Sequence, residues 1–218
     1  MSRAGTNLRD FRLRRLNEPM YRHLWWLLFW PAYLLRYFLL ERWNPAQAYH
    51  VIHCALDDRI PFQEGFLIFY VCWYFLIVGV HLYTLLRDVD VFCRYSKFLC
   101  ISIAISTAVF LLYPSCQNLR PETFPRDNFL TRVVGVLYTV DTNTNVFPSE
   151  HVIGAVAALA AAAHTRLPPA RLAGLTVLTV LVCVSTLFLK QHSVLDVLGA
   201  LLICLIAYFL SYEKRGRA

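Results

Sequence analysis

Three stretches, 65–86, 98–119 and 172–189, each run for 18 residues or more without an Asp, Glu, Lys or Arg. Apolar runs of that length are transmembrane-helix signals, because a helix satisfies all of its backbone hydrogen bonds internally and lipid supplies none. Composition agrees: 58% of the residues are hydrophobic and 16% charged, against about 45–50% apolar in soluble domains. The class is an all-α integral membrane protein, expected as one six-helix bundle over 24–212. A basic amphipathic arm (1–23) precedes it and a basic tail (213–218) follows. The six spans are read at 24–40, 62–86, 98–113, 149–165, 172–189 and 193–212. Pro31 is expected to kink the first, and Arg36 within it is read as a snorkelling arginine. Pro168-Pro169 separates the fourth from the fifth.

The formal charge of +7 does not point to nucleic acid, since the basic residues are dispersed among the short polar segments between apolar runs. With the N-terminus inside, the inner segments carry fourteen Lys and Arg and the outer ones six: Arg42, Arg59, Arg120, Arg126, Arg132 and Lys190. The positive-inside rule therefore places both termini in the cytoplasm and the other loops on the extracytoplasmic face. Seven cysteines (54, 72, 93, 100, 116, 183, 204) fall mainly in apolar runs, without a CxxC pair, and read as small hydrophobes. His50, His53, Asp57 and Asp58 can be sketched as a metal site, but the connector holding them reads more simply as a solvated loop. No cleavable leader is read after the basic N-terminus.

The outer loops bring chemistry together. Pro148-Ser149-Glu150-His151 opens the alanine-rich fourth span, with Ser149 as N-cap and the free N–H groups of the helix start as an anion site. His192 and Asp196 are four residues apart, so on a helix they share a face. Asp196 would then orient one ring nitrogen of His192 and leave the other as nucleophile, with His151 as acid and base. Arg120 and Lys190 are expected to bind phosphoryl oxygens, beside Asn118 and Ser149. The uncharged parts of the fourth and sixth spans, 152–165 and 197–212, are roughly 21–24 Å long, short of a ~30 Å hydrocarbon core. The two histidines are thus expected at headgroup depth. The long connection 114–148 is expected to be ordered, with 133–140 packed on the bundle.

Three motifs resemble those of the type 2 phosphatidic acid phosphatase (PAP2) superfamily, K-x6-R-P, P-S-G-H and S-R-x5-H-x3-D. Here they read Tyr113-x6-Arg120-Pro121, Pro148-Ser149-Glu150-His151 and Ser185-Thr186-x5-His192-x3-Asp196. The wording around them looks most like the inositol phosphorylceramide synthase-like and small bacterial PAP2-like branch. The resemblance implies a phosphohistidine on His192, assisted by Asp196, with His151 as acid/base and no metal or other cofactor. It also implies a phosphorylated lipid substrate in the bilayer, with water or an alcohol as acceptor. The sequence departs from the motifs at Tyr113, Thr186 and Glu150, where the family has Lys, Arg and Gly. Three activities stay open: a lipid phosphate or pyrophosphate phosphatase, a headgroup phosphotransferase like inositol phosphorylceramide or sphingomyelin synthases, and a catalytically weak protein that binds or carries lipid phosphates. The oligomeric state is not readable.

Overall fold

Along 67–87, Tyr70, Trp73, Ile77 and Val80 are buried while Ile68, Val71, Phe75, Val78 and Leu82 are exposed, all at three- and four-residue intervals. That is one helix with a protein-facing stripe and a lipid-facing stripe, and the pattern repeats along the chain. The computed structural model describes residues 5–6, 10–43 (the last three by backbone only) and 48–213. Expectations placed on Arg3, Leu8, Arg9, Lys214, Arg215, Arg217 and the side chains of Arg42 and Trp43 lie outside the described residues. Within them stand seven α-helices: α1 Phe29–Trp43, α2 Leu67–Arg87, α3 Val89–Leu112, α4 Phe129–Val140, α5 Glu150–Ala163, α6 Pro169–Phe188 and α7 Val194–Tyr212.

The helix with a single turn before it, Glu64–Arg87, and α3, α6 and α7 are each long and apolar enough to cross a membrane. The protein is a multi-pass helical membrane protein. At its centre is α5, packed against α2, α3, α6 and α7. Its 14 residues span only about 21 Å, but protein surrounds it, so its ends need not reach past the lipid. Ala155, Ala157, Ala158, Ala161 and Ala162 are buried, and these small side chains let four neighbours approach one axis.

Several boundaries differ from expectation for local reasons. α3 begins at Val89 rather than 98, because Asp88 caps it, its side chain accepting from Val91 N–H at 3.2 Å. Hydropathy stops short there, since Asp90, Arg94 and Lys97 occupy turns outside the apolar run. α6 begins at Pro169, which fills the first helical position, where the missing proline N–H has no partner to lose. Pro31 sits in the first turn of α1, so the expected interior kink has no ladder bond to break. A seventh helix, α4, forms inside the long connection. Asn128 and Thr131 make a reciprocal capping box, and Val134 packs with Leu67, Tyr70 and Leu189.

The N-terminal segment does not stand off from this frame. Tyr21 and Leu24 pack with Leu85 and Phe92 at the α2–α3 turn, and the Thr6 hydroxyl donates to the Leu85 carbonyl at 2.8 Å. At the opposite end two short strands, β1 His50–Val51 and β2 Ser115–Cys116, pair in parallel and tie the α1–α2 connection to the α3–α4 connection. All seven cysteines are free, and only Cys204 is fully buried.

Candidate active site

The starts of α5 and α7 are fixed to each other by the backbone itself. Ser149 N–H donates to the Asp196 carbonyl at 3.1 Å, which registers His151 against the His192–Asp196 pair. Each start is capped by its own serine. Ser149 Oγ accepts from Val152 N–H, and Ser193 forms a capping box with Asp196. The Asp196 carboxylate thereby has two tasks: one oxygen accepts Ser193 N–H at 2.8 Å and also faces His192 Nδ1 at 3.2 Å. Asp196 is fully buried and His192 is 8% exposed. An Nδ1–H donated to this carboxylate leaves Nε2 as the free ring nitrogen.

His151 lies 5.7 Å from His192, centre to centre. Its ring is held between Tyr70 and Trp73, at 4.6 and 4.7 Å. Both histidines line a cleft together with Tyr33, Arg36, Asp141, Asn145, Glu150 and Gln191. Asp141 is a second carboxylate there, accepting from the Tyr70 hydroxyl at 2.7 Å and facing the Gln191 amide at 3.4 Å.

The other residues singled out from sequence take different places. Arg120 donates to the carbonyls of Tyr138, Asp141 and Thr142 at 2.7–3.0 Å and to Gln191 Oε1 at 2.5 Å. Its guanidinium also lies over the Tyr138 ring. It ties the end of α4 to the α6–α7 turn, behind the cleft wall. Lys190 is buried, and its ammonium donates to the Asp57 carbonyl at 2.7 Å. Burial lowers its pKa, with Asp57 and Asp58 opposing that shift. Lys190 does not line the cleft, and its backbone has a φ of 53°. Asn118 is exposed and outside the cleft, while its neighbour Gln117 is buried and donates to the Lys190 carbonyl. Ser149 acts as a cap and does not line the cleft. Thr186 bonds back onto its own helix, and its carbonyl receives the Gln191 and His192 N–H groups.

Two features escaped the sequence reading. Arg36 and Glu150 form an ion pair at 2.5 Å, 114 residues apart, in the cleft wall. The added carboxylate at the motif glycine is therefore neutralised by a charge from α1. Asp57, expected in a solvated loop, is buried. It accepts from Ser193 Oγ–H at 2.6 Å, Val194 N–H at 2.8 Å and Cys54 N–H at 2.8 Å. Burial pushes the Asp57 carboxyl up, but these hydrogen bonds outweigh it and hold the pKa below its ordinary value. His53 pairs instead with Asp58, and His50 stacks on Tyr113, so the sketched metal cluster does not converge.

A histidine oriented by a buried carboxylate, with a second histidine across a cleft at one end of a helical membrane bundle, defines a class suited to phosphoryl transfer. The chain belongs to the PAP2 superfamily, whose family model matches residues 96–217. Its members are generally phosphatases or phosphotransferases, and that is the type of activity membership supports. No curated protein and no solved structure matched the chain.

Proposed function

We propose that the protein is a membrane lipid phosphatase that hydrolyses a lipid phosphate or pyrophosphate through a phosphohistidine on His192. The observation that carries this reading is the His192–Asp196 contact at 3.2 Å facing His151 across the cleft. His192 Nε2 attacks phosphorus, and the bond from phosphorus to the leaving oxygen breaks as His151 delivers its proton to that oxygen. Water then attacks the phosphohistidine while His151 takes a proton from it. The P–N bond breaks, releasing phosphate and restoring His192. Asp196 holds the ring and stabilises the positive charge that develops on it. The cleft opens on the extracytoplasmic side, where headgroups and water meet.

A second reading, headgroup transfer to an alcohol, draws support from Asp141 and Asn145 in the cleft wall. A polyol beside these two polar side chains would replace water in the second step. The test uses purified protein in nanodiscs with dioleoylphosphatidic acid or a polyprenyl diphosphate, with and without glycerol or inositol. Phosphate release with acid-labile phosphohistidine, both lost in His192→Ala, is expected. Transfer to the alcohol in place of release moves the protein to the second reading. Lipid-phosphate binding without either product or any phosphoenzyme makes it a binding or carrier protein.

A further inference from the structure

Arg36 is the one cation among the described residues that lines the cleft shared by His151 and His192. Arg120 does not line it but donates from behind to the Asp141 and Thr142 carbonyls and to Gln191 of the cleft wall, and Lys190 donates to the Asp57 carbonyl away from it. Arg36 comes from α1, where an arginine amid Leu34, Leu35 and Phe38 has no lipid-facing partner to offset its desolvation. It is held by the face of Tyr33 at 5.1 Å, by Phe110 at 5.8 Å, by the Thr107 hydroxyl at 3.3 Å and by Glu150 Oε2.

That hold is incomplete. Arg36 Nε and Glu150 Oε1 are both buried without a hydrogen-bond partner, so the two groups meet through one oxygen rather than as a bidentate fork. A phosphate monoester carries more charge than a carboxylate and offers two oxygens at the spacing a guanidinium fork accepts. Glu150 occupies the first turn of α5, where the helix dipole favours a carboxylate even when its counter-ion is taken.

We infer that Arg36 is the residue that binds the substrate's phosphate, and that Glu150 is an exchangeable stand-in which the phosphate displaces from it. This rests on the phosphoryl-transfer reading of the cleft and gives it a specificity element. Entry of a dianionic headgroup moves Glu150 off Arg36, whereas a zwitterionic or neutral headgroup lacks the charge to do so. The site therefore selects lipids ending in a phosphate monoester or diphosphate.

The two partners of a merely structural ion pair fail together, whereas a ligand and its competitor fail in opposite directions. Arg36→Gln is expected to raise KM for dioleoylphosphatidic acid in mixed micelles by roughly 10- to 100-fold, the loss of a charge-assisted bidentate contact. Glu150→Gln is expected to lower KM by about 3- to 10-fold, because Arg36 is no longer occupied in the free protein. Arg36→Lys keeps the charge without the fork and falls between, which covers the case in which the glutamine variant does not fold. KM moving the same way in Arg36→Gln and Glu150→Gln, or unmoved in both, overturns the inference. Line broadening of inorganic phosphate in ³¹P NMR of the nanodisc protein separates it from the catalytic reading. Broadening lost in Arg36→Gln and increased in Glu150→Gln sustains the inference even if no lipid is turned over, and equal broadening in all three proteins overturns it.

Discussion

One carboxylate oxygen of Asp196 is asked to do what two groups do at looser sites: it receives the N–H that starts α7 and faces the nitrogen that orients His192. Asp196→Asn preserves the volume but lets an amide donor face Nδ1, which turns the tautomer the wrong way. The expected result is a fall in kcat of roughly 10²- to 10⁴-fold, with KM little changed, read from initial rates on dioleoylphosphatidic acid. A subtler dependence lies under His151. A Cβ on Gly154 would stand 2.9 Å from Trp73 Nε1, and the Trp73 ring is one of the two between which His151 is held. Gly154→Ala must displace the indole against which the imidazole packs, and misplacement of an acid–base group costs rate rather than binding. A severalfold loss in kcat is expected at constant KM, regained when Trp73→Phe is added and removes the crowded part of the ring. A loss that persists in the double variant would mean that the glycine serves helix packing alone.

At the scale of elements, the start of α7 depends on a loop distant in sequence. Asp57 caps it through Ser193 and Val194, and Lys190 reaches back to the same residue's carbonyl. Replacing the cap with Asp57→Ala is expected to cost about 1–2 kcal/mol, measured by chemical denaturation in detergent, and to lower activity by loosening His192. Because the native Asp57 pKa is depressed, its charge stabilises the fold fully above the ordinary carboxylate range. That contribution is lost as pH falls through the native pKa. The gap in melting temperature between the parent protein and Asp57→Asn should hold from pH 7 to 5 and close below about pH 4. A gap independent of pH would show that the carboxylate's charge contributes nothing. These elements also show what a sequence carries and what it hides. The long helices announced themselves through long apolar runs, and Ser149 announced the start of α5, because both signals are local. The pairing of His192 with Asp196 was legible for the same reason, being four residues apart, although His192 stands in the turn just before α7 rather than on the helix. Asp57 was not, since a cap supplied from 136 residues away leaves no periodic trace. Nor was the Arg36–Glu150 pair, in which each residue has an ordinary local explanation: one reads as a snorkelling arginine, the other as a helix-first-turn acid. Lys190 is near His192 in sequence, but its ammonium reaches the Asp57 carbonyl, a direction that sequence nearness does not give.

The whole molecule has two unlike ends. One gathers the cleft, the paired strands β1 and β2, and α4. The other buries Tyr21 against the α2–α3 turn and carries Arg87, Arg94, Lys97, Arg166 and Arg171. From the positive-inside rule we propose that the second end is cytoplasmic, and the short central helix makes that orientation consequential. With about 21 Å of α5 available, the helix that carries His151 in its first turn is shorter than the helices packed around it. In the proposed reaction a lipid would bring its phosphate to His192 from the bilayer, and water would reach the same point from the extracytoplasmic side. Inverting the protein would present this cleft to the cytoplasmic leaflet and its lipids instead. The orientation is testable without any substrate. In a background lacking the seven native cysteines, single cysteines at the exposed positions His53 and Arg132 (side chains 45% and 72% exposed) belong to the cleft end. Arg166 and Arg171, also exposed, belong to the other. A membrane-impermeant maleimide added to intact cells should modify His53→Cys and Arg132→Cys at once, and Arg166→Cys and Arg171→Cys only after lysis. The reverse pattern would put the cleft inside the cell and require the substrate to come from the cytoplasmic leaflet.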